Sequence, residues 1–267
     1  MNCRLMRVRA RMSAIAATIL WCTASLSLPA QAPPAAQAPR TAKTGAPVDL
    51  TGYWVSIVTE DWRFRMVTPP KGDYASVPLN PEGKKVADTW DPARDEAAGE
   101  QCRSYGAPAI MRVPGRLHIV WEDDNTLRID TDAGTQTRLL HFVGQAVGQA
   151  VGQAAPGAAQ WQGFSAAQWD IPGGGRGPNP AARGGSLKAV TTHIRPGYLR
   201  KNGVPYSADA VLTEYFSRTN EPNGDSWLIV TTIVTDPKYL TEPFLTSTHF
   251  KRQADAAGWN PSECTAR

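Results

Sequence analysis

The stretch from Val211 to Arg252 admits few folds. Val211–Arg218 and Ser226–Asp236 are runs rich in Val, Ile, Thr and aromatic residues, on either side of a turn carrying Pro222, Asn223 and Gly224. A third run, Leu245–Arg252, follows the Asp236-Pro237 break. Three strands in this order predict an antiparallel meander, which needs further strands to cover its apolar face. The earlier chain supplies them. Arg116–Asp123 and Thr126–Asp132 form a hairpin around Asp124-Asn125, and Thr135–Phe142 follows Gly134. A later strand runs through Leu187, Ala189 and Thr191, with His193 expected on the same face. Short strands evenly punctuated by turns predict an all-β fold, an antiparallel barrel or sandwich.

From Trp54 to Met66 the residues alternate, with Asp61, Arg63 and Arg65 on one face and Trp62, Phe64 and Met66 on the other. A bend near Glu60-Asp61 is expected to split this run into two strands. One short helix is expected near Pro81–Trp90, with Asn80 as its N-cap, Pro81 at the first helical position, Val86 and Trp90 on its apolar face, and Asp91-Pro92 ending it. Residues 91–115 and 198–208 read as irregular loops.

The N-terminus has the pattern of an export signal. Arg4, Arg7, Arg9 and Arg11 precede a mostly apolar stretch from Met12 to Leu28, and Ala30 offers a small residue for cleavage. Thr18, Thr23, Ser25 and Ser27 dilute the stretch below what a membrane span needs. The chain carries 28 Lys+Arg against 24 Asp+Glu, a net charge of +4. Loss of the four leader arginines leaves the remainder neutral, so a nucleic-acid partner has no electrostatic support. Residues 1–30 are therefore expected as a signal peptide and 31–48 as a disordered Pro/Ala-rich tether. Residues 49–267 form a single barrel domain, with low-complexity loop insertions at 143–160 and 172–185. The expected location is periplasmic or secreted, with no transmembrane segment after the leader is removed. Cys102 and Cys264 are the two cysteines outside the leader and are expected to pair in an oxidising compartment.

Gly52-Tyr53-Trp54 on the first strand resembles the G-x-W of lipocalins. That resemblance implies an antiparallel, lipocalin-like (calycin-like) β-barrel with Trp54 plugging one end. Residues 100–252 resemble a family of secreted proteins of soil and environmental bacteria. The resemblance is carried by Tyr105-Gly106-Ala107-Pro108, Trp161-Gln162-Gly163-Phe164-Ser165, Val190-Thr191-Thr192 and Leu212-Thr213-Glu214-Tyr215-Phe216. The chain has Tyr215 where that family usually has Arg. The family implies fold and export and brings no chemistry.

Candidate site residues follow from the barrel reading. Trp54 is the candidate base of a ligand cavity, Trp62, Tyr215 and Trp227 are candidates for its wall, and Arg138 and Glu214 are its orienting polar groups. Glu214 lies mid-strand among apolar neighbours, where burial would favour acid–base work. The structural alternative is a pair with Arg138 or Arg218. His141 and His193 are the candidate catalytic partners. No H-x-H or H-E-x-x-H spacing occurs, and His141 stands where a calcium loop opening at Asp130 needs Glu, so no metal is expected. No cofactor is expected. Asp61, Arg63 and Arg65 could pair with an acidic ligand. The leading expectation is a carrier of a small apolar molecule in a barrel cavity. One alternative is a barrel enzyme (isomerase, cyclase or hydrolase) using Glu214 with His141 or His193. The other is a structural periplasmic protein with a filled barrel.

Overall fold

The computed structural model describes residues 40–142, 157–171 and 184–267. The leader and most of the two low-complexity insertions lie outside the described residues.

Nine strands close a barrel. They are β1 (Gly52–Ile57), β2 (Arg116–Trp121), β3 (Thr126–Thr131), β4 (Gln136–Phe142), β5 (Phe164–Asp170), β6 (Ser186–Thr192), β9 (Val211–Asn220), β10 (Ser226–Thr235) and β11 (Phe244–Gln253). Around the barrel the order is β1-β11-β10-β9-β6-β5-β4-β3-β2, with β2 closing onto β1. The expected meander is β9-β10-β11. Its first turn closes where Glu221 donates to the Asp225 carbonyl, and Gly224 takes the positive φ of 87°. Asp236 stops β10 because its buried carboxylate accepts from the Ser207 and Lys238 amides.

Four features differ from the sequence reading. First, β4 and β5 run parallel, Leu140 opposite Ser165. A parallel neighbour needs a crossover connection between the two strands, where an antiparallel one needs only a turn. Second, β1 is followed by a helix, α1 (Trp62–Arg65), and not by a second strand. Asp61 in the left-handed region (φ 50°) turns the chain, and Trp62 is 64 % exposed. Third, the single expected helix is one of four short α-helices. The others are α2 (Pro81–Ala87), α3 (Pro92–Ala97) and α4 (Ala107–Ile110), with a 3-10 turn at Gln101–Ser104. The Asn80 cap is present, its side chain accepting from Gly83 N at 2.8 Å. The helix buries Gly83 and Ala87 and leaves Val86 half-buried. The helix ends at Ala87 with Asp88 as its C-cap, so Trp90 lies beyond it, and Asp91-Pro92 instead starts α3, the Asp91 carboxylate accepting from the Ala93 and Arg94 amides. Fourth, residues 198–208 contain a small hairpin, β7 (Gly197–Arg200) and β8 (Val204–Tyr206).

The strand directions give the barrel two unlike ends. One is covered by the four helices and the β7–β8 hairpin, whose apolar residues form a core with Leu212, Val234 and Phe244. The other is closed by Trp54, fully buried, with its indole N–H donating to the Leu50 carbonyl at 3.0 Å. Arg218 and Arg252 lie over the Trp54 ring at 5.9 and 5.7 Å. Gly52 has φ +116°, and an added Cβ would come within 3.3 Å of Arg252, so glycine is required two residues before that Trp. Residues 40–48, inside the run read as a tether, contact this same end. Ala42 is buried, its amide donates to Asn125 Oδ1 and its carbonyl accepts from the Trp169 indole.

Candidate functional site

Along the barrel axis the side chains pack. Ile119, Ile129, Leu140, Phe216, Leu228 and Val230 have no exposed surface and belong to one apolar cluster with Trp54. Midway, β4 sends Arg138 across the interior to Glu214 on β9. Arg138 Nη1 and Nη2 donate to the two carboxylate oxygens at 3.0 and 2.6 Å, and both side chains are 0 % exposed. Strands β5 and β6 separate the two and carry Ser165, Ala167, Ala189 and Thr191 inward, leaving room for the long guanidinium. Ser165 and Thr191 hydroxyls lie 2.7 Å apart, and Arg138 Nη2 also reaches Thr191 Oγ1 at 3.5 Å. Of the two partners foreseen for Glu214, the structure selects Arg138. Arg218 is used at the Trp54 end instead.

The other candidates do not join this pair. Tyr215 and Trp227 lie on the outer face, opposite Lys188 and Lys251. His141 is also on the outer face of its strand, stacked on Phe164 at 5.3 Å. His193 falls beyond the end of β6 with φ 55°, so it leaves the face of Leu187, Ala189 and Thr191. His118 stacks on Tyr53, and His249 Nδ1 lies 3.2 Å from Glu60. Among the described residues no group of three metal-ligating side chains could hold an ion. Asp132 instead accepts the Arg116 amide and pins the start of β2.

The space the barrel axis lacks is found at its helical end. A cleft of about 460 Å³ opens between α1, α4, β7 and the C-terminal segment, lined among others by Phe64, Arg65, Arg112, Leu199, Arg200 and Lys201. The disulfide Cys102–Cys264, with Cα atoms 5.1 Å apart, holds the C-terminal wall to the 3-10 turn. Gly134 has φ +77° and packs directly on the Tyr105 ring at the cleft's edge. Lys201 Nζ donates to Tyr105 Oη at 2.7 Å and Thr265 N donates at 3.3 Å. Burial opposes ionisation of this phenol, and the donors, Lys201 foremost, outweigh it and lower its pKa.

Three arginines form the cleft's inner side. Arg65 is fully engaged: it pairs with Glu60, donates to Ser56 Oγ at 3.0 Å, and donates to the Arg112 carbonyl at 2.9 Å. Arg112 pairs with Asp61 at 2.9 Å. Arg200 is 3 % exposed and donates through Nη1 to the Ala75 carbonyl at 2.6 Å. The Phe64 ring lies 4.0 Å from its guanidinium carbon and the Phe244 ring 5.9 Å. Burial, followed by the neighbouring Arg112 charge, lowers the Arg200 pKa to about 10. Arg65 was foreseen for an acidic ligand. Arg112 and Arg200 were missed, although Asn202-Gly203 is a hairpin turn signal that marks Arg200 as a strand residue.

The architecture is a closed, mostly antiparallel nine-stranded barrel, consistent with the lipocalin-like class. No protein-family model matches the chain, and no curated protein and no solved structure matches it. The expected kinship with a secreted bacterial family finds no support in these comparisons. No described helix is long and apolar enough to cross a membrane.

Proposed function

We propose that the chain is an exported small-molecule-binding protein whose ligand lies in the cleft at the helical end and not along the barrel axis. The cleft itself carries this reading. Its volume of about 460 Å³ falls within the range of small-molecule sites, and it joins an apolar wall to a few buried polar groups. The acid–base reading is the weaker one, because both Glu214 oxygens are occupied by Arg138. The packed axis favours a second reading, a purely structural filled barrel.

Native mass spectrometry of protein recovered from the periplasm or medium separates the two. A retained small molecule is expected, and it should be lost in Thr68→Trp, which fills the cleft from its rim. Retention unaffected by that substitution, or no retained molecule at all, would leave the filled-barrel reading standing.

A further inference from the structure

We propose that the cleft takes small amphipathic carboxylates, held by the carboxylate group on the unpartnered edge of Arg200. This rests on the cleft being the ligand site. Arg200 Nη1 is spent on the Ala75 carbonyl, while Nε and Nη2 have no hydrogen-bond partner. Those two N–H groups share one edge of the planar guanidinium and point in parallel, the geometry that meets both oxygens of a carboxylate. Phe64 and Phe244 interact with the guanidinium through their rings and leave the N–H edge, which is buried, without a hydrogen bond among the described residues. Arg112 Nη2 is also buried without a partner and supplies a further donor on the same side of the cleft.

The charge balance gives the sign. Glu60 offsets Arg65 and Asp61 offsets Arg112, but Arg200 forms no ion pair among the described residues. Asp61 and Asp73 are close enough to act on it through space without a direct contact. One buried cation is thus left without a direct partner, and buried cations are normally paired. A carboxylate would give Arg200 that direct partner. At neutral pH the guanidinium is still a cation, since its pKa is about 10. Apolar residues also line the cleft, with Met66 and Val67 exposed at 60 and 65 % and Val113 and Leu199 beside them, alongside charged groups such as Lys201, Glu263 and Arg267. This suits an alkyl or aryl body on the carboxylate.

The probes are decanoate, decanol and decyl phosphate, titrated calorimetrically into the disulfide-intact protein. Decanoate is expected to bind 10–100-fold more tightly than decanol, about the worth of a charge-assisted hydrogen-bond pair. Arg200→Met should remove that advantage and leave decanol binding unchanged. Near-UV circular dichroism checks that the variant is folded. Should it not fold, the Arg200 Nε–H resonance of the wild type carries the test, and it must shift with decanoate and not with decanol. Equal affinity for decanoate and decanol, or a stationary resonance, would overturn the proposal while leaving a neutral-ligand cleft intact. Tighter binding of decyl phosphate would overturn the carboxylate assignment. If none of the probes binds and native mass spectrometry recovers no ligand, the binding function falls with it.

Discussion

Two buried arginines, Arg138 and Arg200, face opposite fates in this molecule. Arg138 lies mid-barrel and meets both oxygens of Glu214, with hydroxyls of Ser165 and Thr191 beside it. Arg200 lies under the helical cap with aromatic rings, one carbonyl, and two donors left over. Desolvating a guanidinium costs several kcal/mol in either place. In the barrel the charge is met by Glu214, with Arg138 Nε alone left without a hydrogen bond among the described residues, so the pair belongs to the architecture. Under the cap it is only partly met, which is what a site awaiting a partner looks like.

The largest expected effect concerns the frame that holds the two centres together. Cys102 and Cys264 are 162 residues apart, and the chain-entropy treatment assigns such a cross-link about 5 kcal/mol. Cys102→Ser with Cys264→Ser should lose up to that amount in urea unfolding. Amide exchange should rise first around Tyr105 and Lys201, with β9 protected. Uniform loss of protection would mean that the two centres are one cooperative unit.

Next comes the pair itself. Glu214→Leu strands a buried cation and is expected to cost about 3–5 kcal/mol in urea unfolding. Adding Arg138→Met should recover most of it, since an apolar replacement of a buried pair is often neutral. A Glu214→Leu cost below about 1 kcal/mol would break the distinction between the arginines. Arg200→Met should change stability by no more than about 1 kcal/mol, because the lost hydrogen bond is offset by removal of an unpartnered buried charge. A loss as large as that for Glu214→Leu would show that Arg200 is a structural residue.

The smallest effect is a titration at the cleft end. Tyr198 is raised to about 12, by burial first and its hydrogen bond to Asp95 second, whereas Tyr105 is lowered. For Tyr198 the folded pKa exceeds the unfolded value, so its stabilisation is complete below the model-phenol pKa of about 10 and disappears as pH climbs toward 12. For Tyr105 the sign reverses: stabilisation appears only as pH rises through its lowered pKa toward the unfolded value. Phenolate absorbance at 295 nm should therefore lose its earliest step in Tyr105→Phe and only part of its late rise, which Tyr74 and Tyr206 share, in Tyr198→Phe. Identical curves for the two variants would remove the difference.

Much of the barrel was legible because strands write their pattern locally. Val211–Arg252, the hairpin at Asp124-Asn125, the Asn80 cap and the Cys102–Cys264 pair all follow from neighbours in sequence or from elimination. Trp62–Arg65 misled, because the same alternation that suits a strand also suits one turn of helix once Asp61 adopts a positive φ. The parallel β4–β5 pair was hidden, since its direction is fixed by a crossover and not by either strand. The candidate tryptophans were misplaced for a related reason: Trp227 alternates correctly, but which face is inward depends on the partners β9 and β11.

The sequence by itself determined most of the barrel strands, the helix cap, the cysteine pair and a carboxylate at Glu214 among apolar neighbours, because each depends on side-chain period, local backbone preference or elimination. Only the tertiary structure decided that Arg138 crosses two strands to reach Glu214 and that the axis is packed. It alone brought Phe64, Arg112 and Arg200 together from three separate segments. These outcomes depend on register and on which residues are small where the barrel closes. Ala189 and Thr191 make room for one arginine, and no carboxylate comes into direct contact with the other.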